Sequence, residues 1–259
     1  MKSTTAPGRK IGLLSPAIFV IAIACLELAT RKEILPPLFF PPPSVVAKTL
    51  YRMMATGELA GHLGATVGRL LTGFVAGGLP GMILGLLMGW SSGVRRVLDP
   101  FVAAFHPVPK ISSLPIIMII FGIGLLSKTI VIAVAAFFPM LINSMSGVRE
   151  IHPIYFEAAA NCGAGKWQLL RRVILPGSLP FVLAGVRLGL NSALSLSLAV
   201  ELLLADRGIG AMIWMAWQTL RIEELYASIV TAAAVGIAIR LTVVLLLHRF
   251  VPWHANTRS

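Results

Sequence analysis

The residues able to do chemistry in this chain are few, and most are charges placed where lipid should be. Four cations, Arg69, Lys110, Arg187 and Arg240, and two carboxylates, Glu27 and Glu201, fall within long apolar runs. An ionisable side chain at membrane depth is costly unless it faces protein, a water-filled cavity or an opposite charge. Two readings follow. Structural pairing would join Arg187 or Arg69 to Glu201. A cationic lining would instead lower the barrier for a passing anion, and the cationic excess makes an anion the better guess for a solute. Other chemistries find no support. No Gly-x-x-x-x-Gly-Lys-Ser/Thr phosphate loop occurs, so the chain does not bind ATP in the usual way. No Ser/His/Asp arrangement, catalytic carboxylate pair or His/Cys cluster is visible. His62, His106, His152, His248 and His254 sit mostly at the ends of apolar runs, where solvation explains them better than ligation. Cys25 and Cys162 have neither the number for a disulfide framework nor metal-ligand spacing around them. The expectation is a chain that is no enzyme and binds no metal or cofactor of its own.

The elements that position these charges are membrane helices. The 259 residues are 57% hydrophobic and 12% charged, against about 25% charged in a soluble domain. The net charge of +12 gathers at the ends of apolar runs. That is the positive-inside distribution of a membrane protein and not a nucleic-acid footprint. At about 20 residues per crossing, the sequence predicts an all-α polytopic protein of about six transmembrane helices. The first apolar stretch, residues 11–29, shares the outline of a signal peptide, but it ends in an ordinary polar flank and is expected to stay as an uncleaved helix with a cytoplasmic N-terminus. Residues 35–44 hold five prolines and predict an extended external linker. Residues 45–56 predict a short amphipathic helix on the outer surface. The second span, residues 62–90, carries the ladder Gly73, Gly77, Gly81, Gly85 and Gly89, which favours close helix packing; a hinge at Gly78, Leu79 and Pro80 is the alternative. Residues 91–99 are expected as a short inner loop. The third span, 100–123, is interrupted by Pro107, Pro109 and Pro115, with Lys110 between them. A fourth span covers 129–148, a fifth 179–204 and a sixth 225–250. Between the last two, residues 211–220, with Trp214 and Trp217, are too short to cross and suit an interfacial or re-entrant helix. No internal repeat is evident, which argues against an inverted-repeat secondary transporter.

Between the fourth and fifth spans lies a polar island, residues 149–176. Pro153 suits the first position of a helix. Residues 155–162 predict a short helix holding Glu157 and three alanines. Gly163, and again Gly165, could take the left-handed conformation that ends it. Residues 166–173 predict a second short amphipathic helix, after which Pro176 and Pro180 open the next span. The island is thus a helix–turn–helix knuckle whose small residues let another protein's backbone come close.

This segment resembles the EAA loop of inner-membrane permease subunits of bacterial type I ABC importers. The family pattern is Glu-Ala-Ala, three residues, Gly, nine residues, Ile, one residue, Leu-Pro. It is met by Glu157, Ala158, Ala159, Gly163, Val173, Leu175 and Pro176, with Val173 in place of Ile the only departure. The linker LFFPPPSVVAKTL is similar to that of the nitrate, sulfonate and taurine branch. The segment HPVPKISSLPIIMIIFGIG and the group Glu201, Gly208 and Gly210 resemble further family segments. The resemblance implies residues 1–59 as an N-terminal helix with external linker, 60–250 as the type I transmembrane core with the EAA loop at 149–176, and 251–259 as a cytoplasmic tail. It implies a permease for a small, anionic solute of sulfonate, taurine or nitrate type in the plasma membrane, with both termini cytoplasmic. The implied partners are two cytoplasmic ATPase subunits holding ATP and Mg, a second permease copy and an external substrate-binding protein. A gradient-driven transporter or channel is the alternative, since it explains the spans though not the knuckle.

Overall fold

The computed structural model describes the backbone of residues 8–204 and 207–250, and side chains within residues 17–204 and 207–249 apart from His248. The described residues form helices: α1 (Gly8–Arg31), α2 (Pro43–Ala55), α3 (Glu58–Trp90), α4 (Ser92–Phe105), a 3₁₀ turn at Lys110–Ser113, α5 (Leu114–Phe121), α6 (Leu125–Arg149), α7 (Pro153–Asn161), α8 (Lys166–Leu169), a π turn at Leu170–Ile174, α9 (Leu175–Leu204), α10 (Ile209–Gln218) and α11 (Ile222–Phe250). Among the described residues four helical stretches are long and apolar enough to cross a bilayer, and the pair α4 and 110–121, bent by 90°, has the length and apolarity of a fifth, as a broken span or a re-entrant loop. The remaining expected span, α1, has 24 residues, about 36 Å at 1.5 Å per residue. The side chains of its first nine residues lie outside the described set, as does the expected tail at 251–259.

The core is a slab of three helices, with α6 packed along α3 on one side and α9 on the other. Lipid supplies no hydrophobic drive for this association, so close backbone approach must. The glycine ladder provides it. A Cβ added at Gly77, Gly81 or Gly85 would run into the carbonyl of Ala133, Phe137 or Leu141 of α6. One at Gly73 would lie 2.5 Å from Ile132 Cγ2, and one at Gly89 2.6 Å from Val148 Cβ. The ladder is therefore an interface, and α3 runs through Gly78 and Pro80 without the alternative hinge. Buried Leu70, Ile132, Ala136, Ala193 and Leu194 fill one end of the slab. Leu86, Met140, Val148, Ile174 and Val182 fill the other.

The remaining helices dress this slab. Glu27 of α1 accepts hydrogen bonds from the backbone N–H of Ser44 (3.0 Å) and from its hydroxyl (2.7 Å). Its carboxylate thus caps the start of α2, where the helix dipole favours negative charge. Helix α2 is tied to α11 in turn. Thr49 donates to Glu223 at 3.2 Å and Arg52 pairs with Glu224 at 3.1 Å.

Three expectations need correction. Residues 91–99 are helix and not loop: the Ser91 hydroxyl accepts from the Val94 N–H at 3.4 Å and starts α4, a polar N-cap that the charge-based reading passed over. Residues 166–173 do not form a separate helix but run directly into the fifth span, giving one 39-residue stretch, Lys166–Leu204. Pro176 and Pro180 therefore lie near the start of a continuing helix instead of opening it. The reason is the π turn just before Pro176, in which the Leu175 N–H reaches back five residues to the Leu170 carbonyl. A proline ring clashes with the carbonyl four residues earlier, and the wider turn relieves that clash at Arg172 without ending the helix. Gly165 is extended (φ −69°, ψ 166°) and caps α8; it is not left-handed.

Candidate functional site: the knuckle and the clasp

The knuckle is built from local rules. His152 caps α7, its Nδ1 accepting from the Ile154 N–H at 3.3 Å, and Pro153 occupies the first turn. At the far end Gly163 is left-handed, φ +71°. The Gly163 N–H donates to the Ala160 carbonyl at 2.9 Å and the Ala164 N–H to Ala159 at 3.0 Å. Those two bonds close a Schellman turn, which satisfies the last carbonyls of α7. Gln168 reaches back to accept from the Gly165 N–H at 3.0 Å.

Of the seven motif residues, Glu157, Ala158 and Gly163 are exposed, Ala159, Val173 and Pro176 are half-buried, and Leu175 is exposed. Glu157 lines a cleft of about 430 Å³ with Trp90, Arg149 and Phe156. The knuckle is also rooted in the slab, because Phe156, Leu169 and Leu170 pack on the cluster around Leu86, Val148 and Ile174. Reasoning from sequence missed its most sticky surface: Ile154 is 57% exposed, Tyr155 61% and Trp167 70%. An apolar residue beside a charged, solvent-side loop was the available signal.

The other assembly lies at the opposite end of the slab. Glu201 is 1% exposed and pairs with Arg69 at 2.7 Å. Its second oxygen accepts from the Thr66 hydroxyl at 2.8 Å and the Gly210 N–H at 3.0 Å, while Ser197 lies 3.2 Å from the first. All four acceptor sites of the carboxylate are thus used. Thr66 accepts from the Ile209 N–H at 2.8 Å, and Arg69 also donates to the Arg207 carbonyl at 2.7 Å. Gly208 (φ +135°) passes so close that a Cβ there would strike the Glu201 carboxylate and sit 2.9 Å from the Arg69 guanidinium. This clasp joins α3, α9 and the start of α10. Of the two pairings open on sequence, Arg69 with Glu201 is the one formed. Lys110 stands at the break in the third span, its ammonium donating to the His106 carbonyl and lying 5.0 Å from the Phe138 ring centre. Arg187 and Arg240 are exposed on α9 and α11 and form no ion pair among the described residues. Arg69 and Glu201 are thus brought together, whereas Lys110, Arg187 and Arg240 stand on other elements or faces.

A slab of long apolar helices, one bent helix pair and a rooted polar knuckle define a helical membrane permease. The chain belongs to the family of binding-protein-dependent transport system inner membrane components, which residues 81–255 match. It is 35% identical over 255 residues to the taurine transport system permease protein TauC of Escherichia coli, covering 96% of this chain and 92% of that one. It is 33% identical to the putative aliphatic sulfonates transport permease protein SsuC of Bacillus subtilis, covering 89% and 84%. Among solved structures, the inward-facing MetNI methionine ABC transporter shares the fold at a TM-score of 0.60 and 19% identity, covering 71% of this chain and 92% of that one. The chain is thus a multi-pass inner-membrane permease of a type I ABC importer, and the family is not one of enzymes.

Proposed function

We propose that this permease imports small organosulfonates of the taurine type and is driven through its knuckle by a separate cytoplasmic ATPase. The substrate class rests on the likeness to the taurine and aliphatic-sulfonate permeases and on the cationic excess in the spans. The observation that carries the coupling is the root of α7 in the slab: a knuckle whose outer face shows Ile154, Tyr155 and Trp167 while Phe156 packs beneath it. A push on that outer face has a packed route into α3, α6 and α9. Interiors at this density pass on displacement instead of absorbing it.

The rest of the assembly follows from the same reading. Two copies of this chain form the path between them, two ATPase subunits that hold ATP and Mg grip the two knuckles, and an external binding protein delivers the solute. The knuckle faces the cytoplasm, as the basic residues Arg149, Lys166, Arg171 and Arg172 around it favour. Both termini then lie on that same side. Alternating access arises because nucleotide and loaded binding protein favour different arrangements of one bistable bundle.

The test is reconstitution of the chain with the ATPase and binding protein of its own system. ATP-dependent taurine uptake is expected, and Gly163→Val should suppress uptake while the complex still hydrolyses ATP. Uptake without any ATPase partner, or full uptake by the variant, would overturn the coupling. Uptake of an uncharged solute in preference to taurine would overturn the substrate class.

A further inference from the structure

The outward face of α9 carries a polar series that lipid cannot accommodate. Arg187, Asn191 and Ser195 follow at four-residue steps, all exposed and none with a hydrogen bond or ion pair among the described residues. Each step turns about 40° around the helix axis, so the series climbs from the knuckle side toward a cleft of about 500 Å³. Ser192 and Ser195 line one wall of that cleft, and His106 and Lys110 the other. A second cleft of about 730 Å³ shares His106 and continues down α4 to Arg96. Arg96 is on the second turn of α4, the helix that follows Trp90, and Trp90 lines the cleft at the knuckle. The two clefts thus meet at His106, and the polar face of α9 reaches the first of them through Ser195.

Some cations of the bundle are paired and others are not, and one carboxylate, Asp99, lines the second cleft beside Arg96. Arg31, Arg52, Arg69 and Arg221 each pair with a carboxylate. Lys110 has none among the described residues; its ammonium meets a carbonyl and the Phe138 ring. A cation at membrane depth without a counter-ion is expensive to keep, and an arriving anion relieves that cost. The donors fit one class of group. A sulfonate offers only acceptor oxygens, and the cleft presents an ammonium with protons to spare and two serine hydroxyls without partners. Its volume is within the range of small-ligand sites. The His106 carbonyl already holds part of the ammonium, which keeps the site weak enough for the solute to leave.

We infer that Lys110, Ser192 and Ser195 form a transit site for the sulfonate group, with Arg187, Asn191 and Arg96 leading from it toward the knuckle. The assignment deepens the proposed import of organosulfonates and rests on it for the identity of the solute. It separates the site from the Arg69–Glu201 clasp, whose charges are already neutralised.

The test measures the field of the cleft and needs neither transport nor ATP. In permeabilised membranes holding the full chain with Cys25→Ser and Cys162→Ser, Ser195→Cys is labelled with a sulfonate-bearing and a quaternary-ammonium-bearing methanethiosulfonate. Rates are normalised to a free thiol. The anionic reagent should win, Lys110→Met should lower the anion-to-cation ratio about tenfold, as loss of one nearby charge does, and Lys110→Arg should retain it. Ile119→Cys, on the apolar surface of α5, should react with neither. A ratio below twofold in the Lys110 background, a ratio indifferent to Lys110→Met or Lys110→Gln, or a Ser195→Cys as inert as Ile119→Cys would each overturn the assignment. The first and last readings stand even where a Lys110 variant fails to insert. In the complete importer, Lys110→Met should slow taurine uptake while the binding protein still stimulates ATP hydrolysis. Absence of taurine uptake by the unaltered importer would instead strike at the proposed substrate and leave the labelling result standing.

Discussion

Replacing Glu201 with glutamine tests how the end of the bundle opposite the knuckle is held. The change keeps shape and volume, so any effect comes from charge and hydrogen bonding. Glu201 receives four donors, two on each oxygen. Two of them cannot turn round: Arg69 and the Gly210 N–H are donors only, whereas the Thr66 and Ser197 hydroxyls can reorient. Whichever way the amide is placed, its NH₂ confronts at least one fixed donor. With the NH₂ beside Oε2 it faces Thr66 and Gly210; beside Oε1 it faces Arg69. The variant also leaves a guanidinium with 13% side-chain exposure and no counter-charge. Removing one member of a buried pair costs about 3–5 kcal/mol. Thermal unfolding of the purified permease in one detergent, read as a shift in Tm, should show Glu201→Gln among the most destabilised single variants. Arg69→Met with Glu201→Leu should recover much of the loss, because an apolar pair leaves no orphaned charge. A Tm for Glu201→Gln within a degree of the parent, or a double variant worse than either single one, would refute this account of the clasp.

Other outcomes follow from neighbouring geometry. Thr66→Ala should cost about 1–3 kcal/mol by unfolding, since it strands the buried Ile209 N–H as well as one carboxylate oxygen. Gly77→Ala should destabilise by roughly 1–3 kcal/mol or prevent accumulation, because its Cβ meets the Ala133 backbone, which cannot rotate away. Gly68→Ala on the same helix meets nothing within 4 Å and should stabilise by roughly 0.5–1 kcal/mol; equal effects at the two positions would show that packing against α6 is not what the ladder is for. Gly163→Ala should cost about 1–2 kcal/mol from its left-handed backbone alone, with Gly163→Asn milder, as amide exchange at Ala164 would report.

How much of this was legible varies with the range of the interaction. The Schellman turn at Gly163 was readable because its bonds join residues a few positions apart, and a left-handed residue after an alanine-rich helix announces itself as glycine. The ladder was readable as small residues at every fourth place, although nothing in it named α6 as the partner. The clasp was half readable. Buried charge demanded pairing, but Arg69 and Arg187 were equal candidates until the fold set one against Glu201 and left the other on the open face of α9. The misreadings at 91–99 and 166–176 share a cause. Prolines and charges were taken as breaks, whereas a serine cap and a five-residue backbone turn absorbed them.

The order and apolarity of the spans, the knuckle motif and the cationic balance belong to the chain as written, because each is a periodic or local pattern that needs no distant partner. Which charges neutralise one another, and which remains unpaired beside two free hydroxyls, was decided only when α3, α6 and α9 closed on their glycines. Lys110 and Ser195 are 85 positions apart by number. No spacing rule reaches that far; it takes a 90° break in one helix and a close-packed slab to bring them to one cleft.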